Sequence, residues 1–237
     1  MIIPEGLTLP IIITAALVDS INPCVFGVLI FLIAFMTKMF KSPKSMLLGG
    51  MIYTTVVYLT YLLIGIGFLK VTVSFNLSMA VYWIAGVIAI LAGLIEIKDY
   101  FWYGKGFSLQ MIPGAAKRIK MYTSKIGKIY KTNKHMSYLA AGILGVFVVF
   151  VELPCTGAPY LAILAILGKG NLVDGIPLLL LYNFIFVLPL FFIIGIAYYG
   201  KSSESLENWR KEHRGLMRLV TGIFLIALGS YMLYYII

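Results

Sequence analysis

Six stretches of this chain are long and apolar. They run near 9–36, 46–69, 79–97, 138–167, 175–199 and 216–237. A helix needs about 20 largely apolar residues to cross the hydrocarbon core of a bilayer. Within the stretches the apolar positions do not fall on one stripe, as they would on a helix half-exposed to water. They surround the helix, which is the pattern of a helix in lipid. The pattern predicts an all-α membrane protein with six transmembrane helices.

Composition agrees. Of 237 residues, 61% are hydrophobic and 12% charged, against about 25% charged in soluble domains. The formal charge of +10 points at first to a polyanionic partner. Its distribution says otherwise. Lys38, Lys41 and Lys44 follow span 1. Nine basic residues, from Lys98 to Lys134, follow span 3. Lys201, Arg210, Lys211, Arg214 and Arg218 stand in the region of the connection between spans 5 and 6. The opposite connections hold only Lys70 and Lys169. Basic loops stay on the cytoplasmic side, so both termini are expected outside. The charge is therefore a topology signal, and nucleic-acid binding is not expected. Residues 1–10 hold no Lys or Arg and no cleavage-site pattern follows, so no secretory signal is expected. Ile119, Tyr122, Ile126 and Ile129 recur at helical spacing among basic residues. That predicts an amphipathic helix within Pro113–Lys131, lying on anionic headgroups or serving a soluble partner.

The chain repeats itself. Asn22-Pro23-Cys24 in span 1 matches Leu153-Pro154-Cys155 in span 4, and the cysteines lie 131 residues apart. Leu62-Leu-Ile-Gly-Ile66 matches Phe192-Ile-Ile-Gly-Ile196 at offset 130. Gly86 and Gly93 match Gly222 and Gly229 at offset 136. Each half has an odd number of spans, so the second must enter the membrane from the other side. The expectation is one transmembrane domain over 1–237: a repeat at about 9–97, a cytoplasmic loop at about 98–137, and an inverted repeat at about 138–237. Inverted repeats place their sites near the midplane, at interrupted helices.

Cys24 and Cys155 are the only cysteines, which excludes a disulfide-stapled scaffold and a four-cysteine metal site. A buried cysteine is ordinarily a small hydrophobe. Here both follow proline and both occupy equivalent repeat positions, which would bring them together as a reactive, disulfide-forming pair. Pro23 and Pro154 each remove a backbone donor, so helices 1 and 4 are expected to be broken, with Gly157 and Pro159 adding to the break in span 4. A thiol at the start of a new helical segment is favoured as thiolate, the species that attacks disulfides.

Pro154-Cys155-Thr156-Gly157-Ala158-Pro159 resembles the second cysteine motif of the CcdA/DsbD transmembrane family, and Asn22-Pro23-Cys24 resembles the first. The resemblance spans nearly the whole chain. In that family a proline usually stands three residues after the first cysteine; here Gly27 stands there. The resemblance implies a membrane thiol-disulfide oxidoreductase. It would take reducing equivalents from cytoplasmic thioredoxin to thioredoxin-like acceptors outside, often in support of cytochrome c maturation. It implies Cys24 and Cys155 as the exchanging pair, with access changing at Pro23, Gly27, Pro154, Gly157 and Pro159. Thiol exchange moves the electrons itself, so no cofactor and no metal is expected. No soluble thioredoxin-like domain accompanies the spans, so both partners are expected in trans.

Four further polar residues lie near the cysteines. Glu152 is three residues before Cys155, nearly on its face. Asp19 is five residues before Cys24 and would face elsewhere on an ideal helix. Both are candidates for proton handling or for lining a cavity. Asn22 and Thr156 are expected to cap broken helix ends. Glu96 is expected to snorkel beside Lys98, and Tyr100, Trp102 and Tyr103 to form an interfacial belt. The competing class is a transporter holding a soft metal or small solute at the thiols, though no histidine or Met-x-x-x-Met pair stands beside them. A quinone-coupled oxidase would need a second cysteine pair.

Overall fold

A computed structural model describes residues 5–22, 25, 32, 36, 40, 42–75, 77–102, 134–168, 172–198 and 203–234. Pro23, Cys24, Gly27 and the amphipathic segment expected within Pro113–Lys131 lie outside the described residues. So do the side chains of Pro154 and Cys155.

Six helices account for nearly all of it: α1 (Glu5–Ser20), α2 (Pro43–Ser74), α3 (Ser78–Phe101), α4 (Lys134–Leu167), α5 (Leu172–Tyr198) and α6 (Ser203–Tyr234). No strand occurs among the described residues. Helices α2 to α6 each hold a stretch long and apolar enough to cross a membrane, and α1 ends in a shorter apolar one. The starts and stops follow local chemistry. Ser42 caps α2, its Oγ accepting from Ser45 N at 3.3 Å, and Pro43 takes the first turn, where a missing N–H costs nothing. With 34 residues, α4 is about 50 Å long against a hydrocarbon thickness of about 30 Å. Its ends therefore extend beyond the core or the helix tilts.

Span 1 is interrupted where expected. Helix α1 stops at Ser20, Asn22 is non-helical, and Val25 is helical again. Proline disfavours helical geometry in the residue before it, here Asn22. Span 4 corrects the expectation. Its backbone is helical without a break from Lys134 to Leu167, through both Pro154 and Pro159. A membrane bundle tolerates proline inside a helix because neighbours hold the helix in place and satisfy freed carbonyls. Thr156, between the two prolines, adds a bond from its Oγ1 to the Glu152 carbonyl at 3.2 Å. Thr156 is thus an interior helical residue and caps nothing.

Helix α6 lies against α3. Helix α2 packs against α4 and α5, α1 against α5, and α3 also against α4. The α3–α6 seam is built on glycine. A Cβ on Gly93 would stand 2.7 Å from the Gly222 carbonyl oxygen, and one on Gly222 2.9 Å from that of Gly93. Gly229 meets the Gly86 carbonyl at 2.7 Å in the same way, and Gly215 lies under the ring of Tyr100. The glycines of α6 recur every seven residues and their partners descend along α3, so the two helices are antiparallel. Gly50 faces Ile194 and Gly65 faces Leu179, which makes α2 and α5 antiparallel too. Without a hydrophobic driving force inside lipid, association depends on such close backbone approach and on dispersion. Large apolar side chains such as Leu63 and Phe192, 70% and 73% exposed, face outward to lipid.

Buried charge completes the seam. Arg218, expected in the connection before span 6, is 2% exposed inside α6. Its Nη1 donates to Glu96 Oε2 at 3.1 Å and Asp99 Oδ2 at 2.7 Å, both on α3. Lys98 Nζ reaches Asp99 Oδ1 at 2.9 Å. Glu96 therefore does not snorkel beside Lys98. It turns inward because a guanidinium is there to receive it, and a carboxylate in a bundle goes to its cation.

Two outcomes follow from the seam. Gly222→Ala lowers the detergent unfolding midpoint by an amount equivalent to about 1–3 kcal/mol, because the backbones must part. Gly67→Ala, at a position with nothing within 4 Å of the new atom, leaves it unchanged or slightly raised. Arg218→Leu costs about 3–5 kcal/mol by removing the buried cation that Glu96 and Asp99 share, with Lys98 left on Asp99. Adding Glu96→Gln and Asp99→Asn recovers part of that loss in the same titration.

Candidate functional site

Four helices, α1, α2, α4 and α5, bring buried polar and aromatic side chains together. The end of α1 brings Asp19 and Asn22, 2% and 1% exposed. The Asn22 amide donates to the Asp19 carbonyl at 3.2 Å, closing the last turn before Pro23. The Asp19 side chain faces α5, on which α1 packs, and the Tyr182 hydroxyl donates to its Oδ2 at 2.9 Å.

Helix α4 brings Glu152, Thr156 and Tyr160, four residues apart and so stacked on one face. All three are buried. Because the backbone is helical across 152–160, Cys155 follows Glu152 at the i+3 position of a regular turn. Pro159 is buried and Gly157 half-buried, with nothing within 4 Å of where its Cβ would be. Helix α2 meets this face with Tyr61. The Tyr61 hydroxyl and Thr156 Oγ1 are 3.0 Å apart. Since Thr156 spends its proton on the Glu152 carbonyl, Tyr61 is the donor in that pair. The Tyr160 hydroxyl donates to the Tyr61 carbonyl at 2.6 Å. Gly65 makes this possible, because a Cβ there would occupy the place of the Tyr160 hydroxyl.

The rings join what the hydroxyls leave apart. Tyr160 lies 5.6 Å from Tyr182 and 5.5 Å from Tyr61, and Tyr61 lies 5.1 Å from Phe186. The result is a continuous aromatic core from Asp19 on α1 to Thr156 and Glu152 on α4. Asn22, just past the end of α1, and Thr156, inside α4, are both buried, and α1 touches α4. Asn183 stands beside this core, fully buried, with its side-chain nitrogen donating to the Leu179 carbonyl at 3.0 Å. Of the residues singled out from sequence, Asp19, Asn22, Glu152, Thr156 and Pro159 are buried here.

Sequence reasoning missed Tyr61, Tyr160, Tyr182 and Asn183. A signal existed. Tyrosine belongs at the headgroup level of a span, and these three lie well inside theirs. A phenol at that depth needs an acceptor, which places a polar neighbour opposite. The Tyr160 contact is testable. Gly65→Ala lowers stability by about 1–3 kcal/mol, and in a Tyr160→Phe background it costs less, as a double-mutant cycle of unfolding midpoints reads directly.

Comparison with curated proteins and with solved structures yields no match. Comparison with protein families matches the cytochrome c biogenesis protein transmembrane region over residues 11–234, a span that includes every described helix in whole or in large part and both Pro-Cys steps. This multi-pass membrane chain belongs to that family, the transmembrane region of cytochrome c biogenesis proteins.

Proposed function

We propose that this chain is a membrane thiol-disulfide oxidoreductase that carries reducing equivalents across the cytoplasmic membrane through Cys24 and Cys155. The observation that carries the reading is the family match over residues 11–234 in a chain whose two cysteines each follow proline. Asn22 and Thr156, beside those cysteines, are both buried. A cytoplasmic thioredoxin gives two electrons and two protons. Its thiolate attacks one sulfur of the internal disulfide, a mixed disulfide forms, and its second thiolate displaces the chain's sulfur. The internal dithiol then reduces the disulfide of a thioredoxin-like acceptor on the other face, and the internal disulfide is restored. The electrons need no cofactor. The acceptor's pathway is cytochrome c maturation.

The architecture that suits this task is a single transmembrane domain of six spans in two inverted repeats, about 9–97 and about 138–237. Two features support it. Exchanging α1 with α4, α2 with α5 and α3 with α6 maps the principal helix neighbours onto one another. The approach of Gly86 to Gly229 exchanges, at the repeat offset, with that of Gly222 to Gly93. The basic connections put both termini on the extracytoplasmic side. Pro23, Gly27, Pro154, Gly157 and Pro159 form the flexible positions through which access alternates. An intact helix at Pro154 and Pro159 fits a bending role better than a hinge between separate segments. Asp19 and Glu152 handle thiol protons, and Asn22 and Thr156 line the pair.

The test counts thiols. Purified oxidised protein incubated with reduced thioredoxin gains two alkylatable thiols by mass. A single-cysteine variant traps a mixed disulfide. Cys24→Ser and Cys155→Ser each abolish transfer to an external acceptor while leaving unfolding midpoints within about 1 kcal/mol of the parent. Substantial transfer by either variant refutes the two-thiol scheme. Absence of any thiol gain, alongside stoichiometric binding of a soft metal, replaces it with transport.

A further inference from the structure

Two prolines stand five residues apart in α4, at Pro154 and Pro159. Proline has no N–H, so the helical bonds to the carbonyls of Phe150 and Cys155, four residues earlier in each case, cannot form. A helix that loses bonds in adjacent turns kinks there. Yet α4 is helical without a break from Lys134 to Leu167. Contacts from outside the helix must hold these turns.

Helix α2 supplies them. The Tyr61 hydroxyl donates to Thr156 Oγ1 at 3.0 Å, and the Tyr160 hydroxyl returns a bond to the Tyr61 carbonyl at 2.6 Å. Thr156 lies just past Pro154 and Tyr160 just past Pro159, so the two bonds straddle the weakened turn. On α5, Phe186 backs the Tyr61 ring at 5.1 Å and Tyr182 backs the Tyr160 ring at 5.6 Å. Gly65 leaves room for the Tyr160 hydroxyl.

The other half of the chain serves as a control. At the repeat offsets of 130 and 131, Tyr61 corresponds to Phe191, Thr156 to Val25 and Tyr160 to Leu29. None of these has a hydroxyl. Gly65 corresponds to Gly195, where no described atom lies within 4 Å of an added Cβ. The half without the hydroxyls is the half whose helix stops at its proline. Ile21 and Asn22 are non-helical, while their counterparts Glu152 and Leu153 are helical. Proline number does not explain the difference, because Pro159 corresponds to Val28 and the interrupted span carries fewer prolines there.

We infer that Tyr61, Thr156 and Tyr160 form a latch between α2 and α4. When it is made, the proline-weakened turns stay straight. When it is released, α4 bends there, as span 1 is interrupted at Pro23. All three are positioning residues and take no part in bond exchange. One consequence rests on the carrier reading above: release of the latch is the step that changes the side from which the thiols are reached.

Hydrogen–deuterium exchange tests the latch independently of the thiols. It follows segment 150–163 in the parent protein and in Tyr61→Phe, Thr156→Val and Tyr160→Phe, which keep the shapes of the side chains they replace. Each variant is expected to exchange about 3- to 10-fold faster in that segment, the weight of one buried neutral hydrogen bond, with α3 and α6 unchanged. Parental exchange there in a folded Tyr61→Phe or Tyr160→Phe protein overturns the latch. Faster exchange spread evenly over all helices overturns it too. Where one variant fails to fold, the others decide. The consequence is read with a membrane-impermeant maleimide on reduced protein, in right-side-out and in inverted membrane vesicles. The ratio of the two labelling rates is expected to shift about 3- to 10-fold in each variant. An unchanged ratio beside faster exchange overturns the access role. Parent protein that gains no thiols from reduced thioredoxin removes the carrier reading and the access role with it, while the exchange data still judge the latch.

Discussion

A polar group below the headgroups has no water to turn to, and the buried polar side chains that bond across helices here are arranged by that constraint. Arg218 finds Glu96 and Asp99 across the α3–α6 seam. Tyr182 finds Asp19, Tyr160 finds a backbone carbonyl on α2, and Tyr61 finds Thr156. Each of these bonds joins two helices, so the polar contacts also set which helices are neighbours. Among the described residues, Asp19 Oδ1 and Asn183 Oδ1 are buried acceptors without a hydrogen-bond partner.

The bundle divides its labour. Helices α3 and α6 meet along glycines spaced by seven residues, near enough that one Cβ would force them apart, and a buried ion pair closes one end. Such a seam is stiff, because both the backbone approach and the charge pairing fail together if it opens. Tyr61, Tyr160 and Tyr182 lie elsewhere, on α2, α4 and α5. There the contacts are aromatic edges and single hydroxyl bonds, which tolerate small shifts more readily than glycine-to-carbonyl packing.

Proline shows how far local rules reach. Beside Pro23 the helix stops, and the chain at Asn22 leaves helical geometry as steric clash with a following proline demands. At Pro154 and Pro159 the same residue type leaves the helix assigned throughout. The difference lies in the surroundings. Helix α4 is packed along α2 and also touches α3, and Thr156 adds a bond within the affected turns. Local strain is met by tertiary packing in one span and released as an interruption in the other. Two halves with matching motifs thus differ at their most similar point.

The amino-acid sequence by itself determined the all-helical membrane class and the places of five long apolar spans. Those properties depend on hydrophobic length along the chain, which is a local quantity. The glycines of the seam were legible as repeats too, since Gly86, Gly93, Gly222 and Gly229 stand out in register. Only the tertiary structure decided which polar groups meet. That Arg218 reaches back across more than a hundred residues to Glu96 and Asp99, that Asp19 turns to Tyr182, and that Tyr61 and Tyr160 bond across α2 and α4 are consequences of helix packing. A charge or a phenol in a span announces that a partner must exist. Its spacing along the chain does not say which helix will supply it.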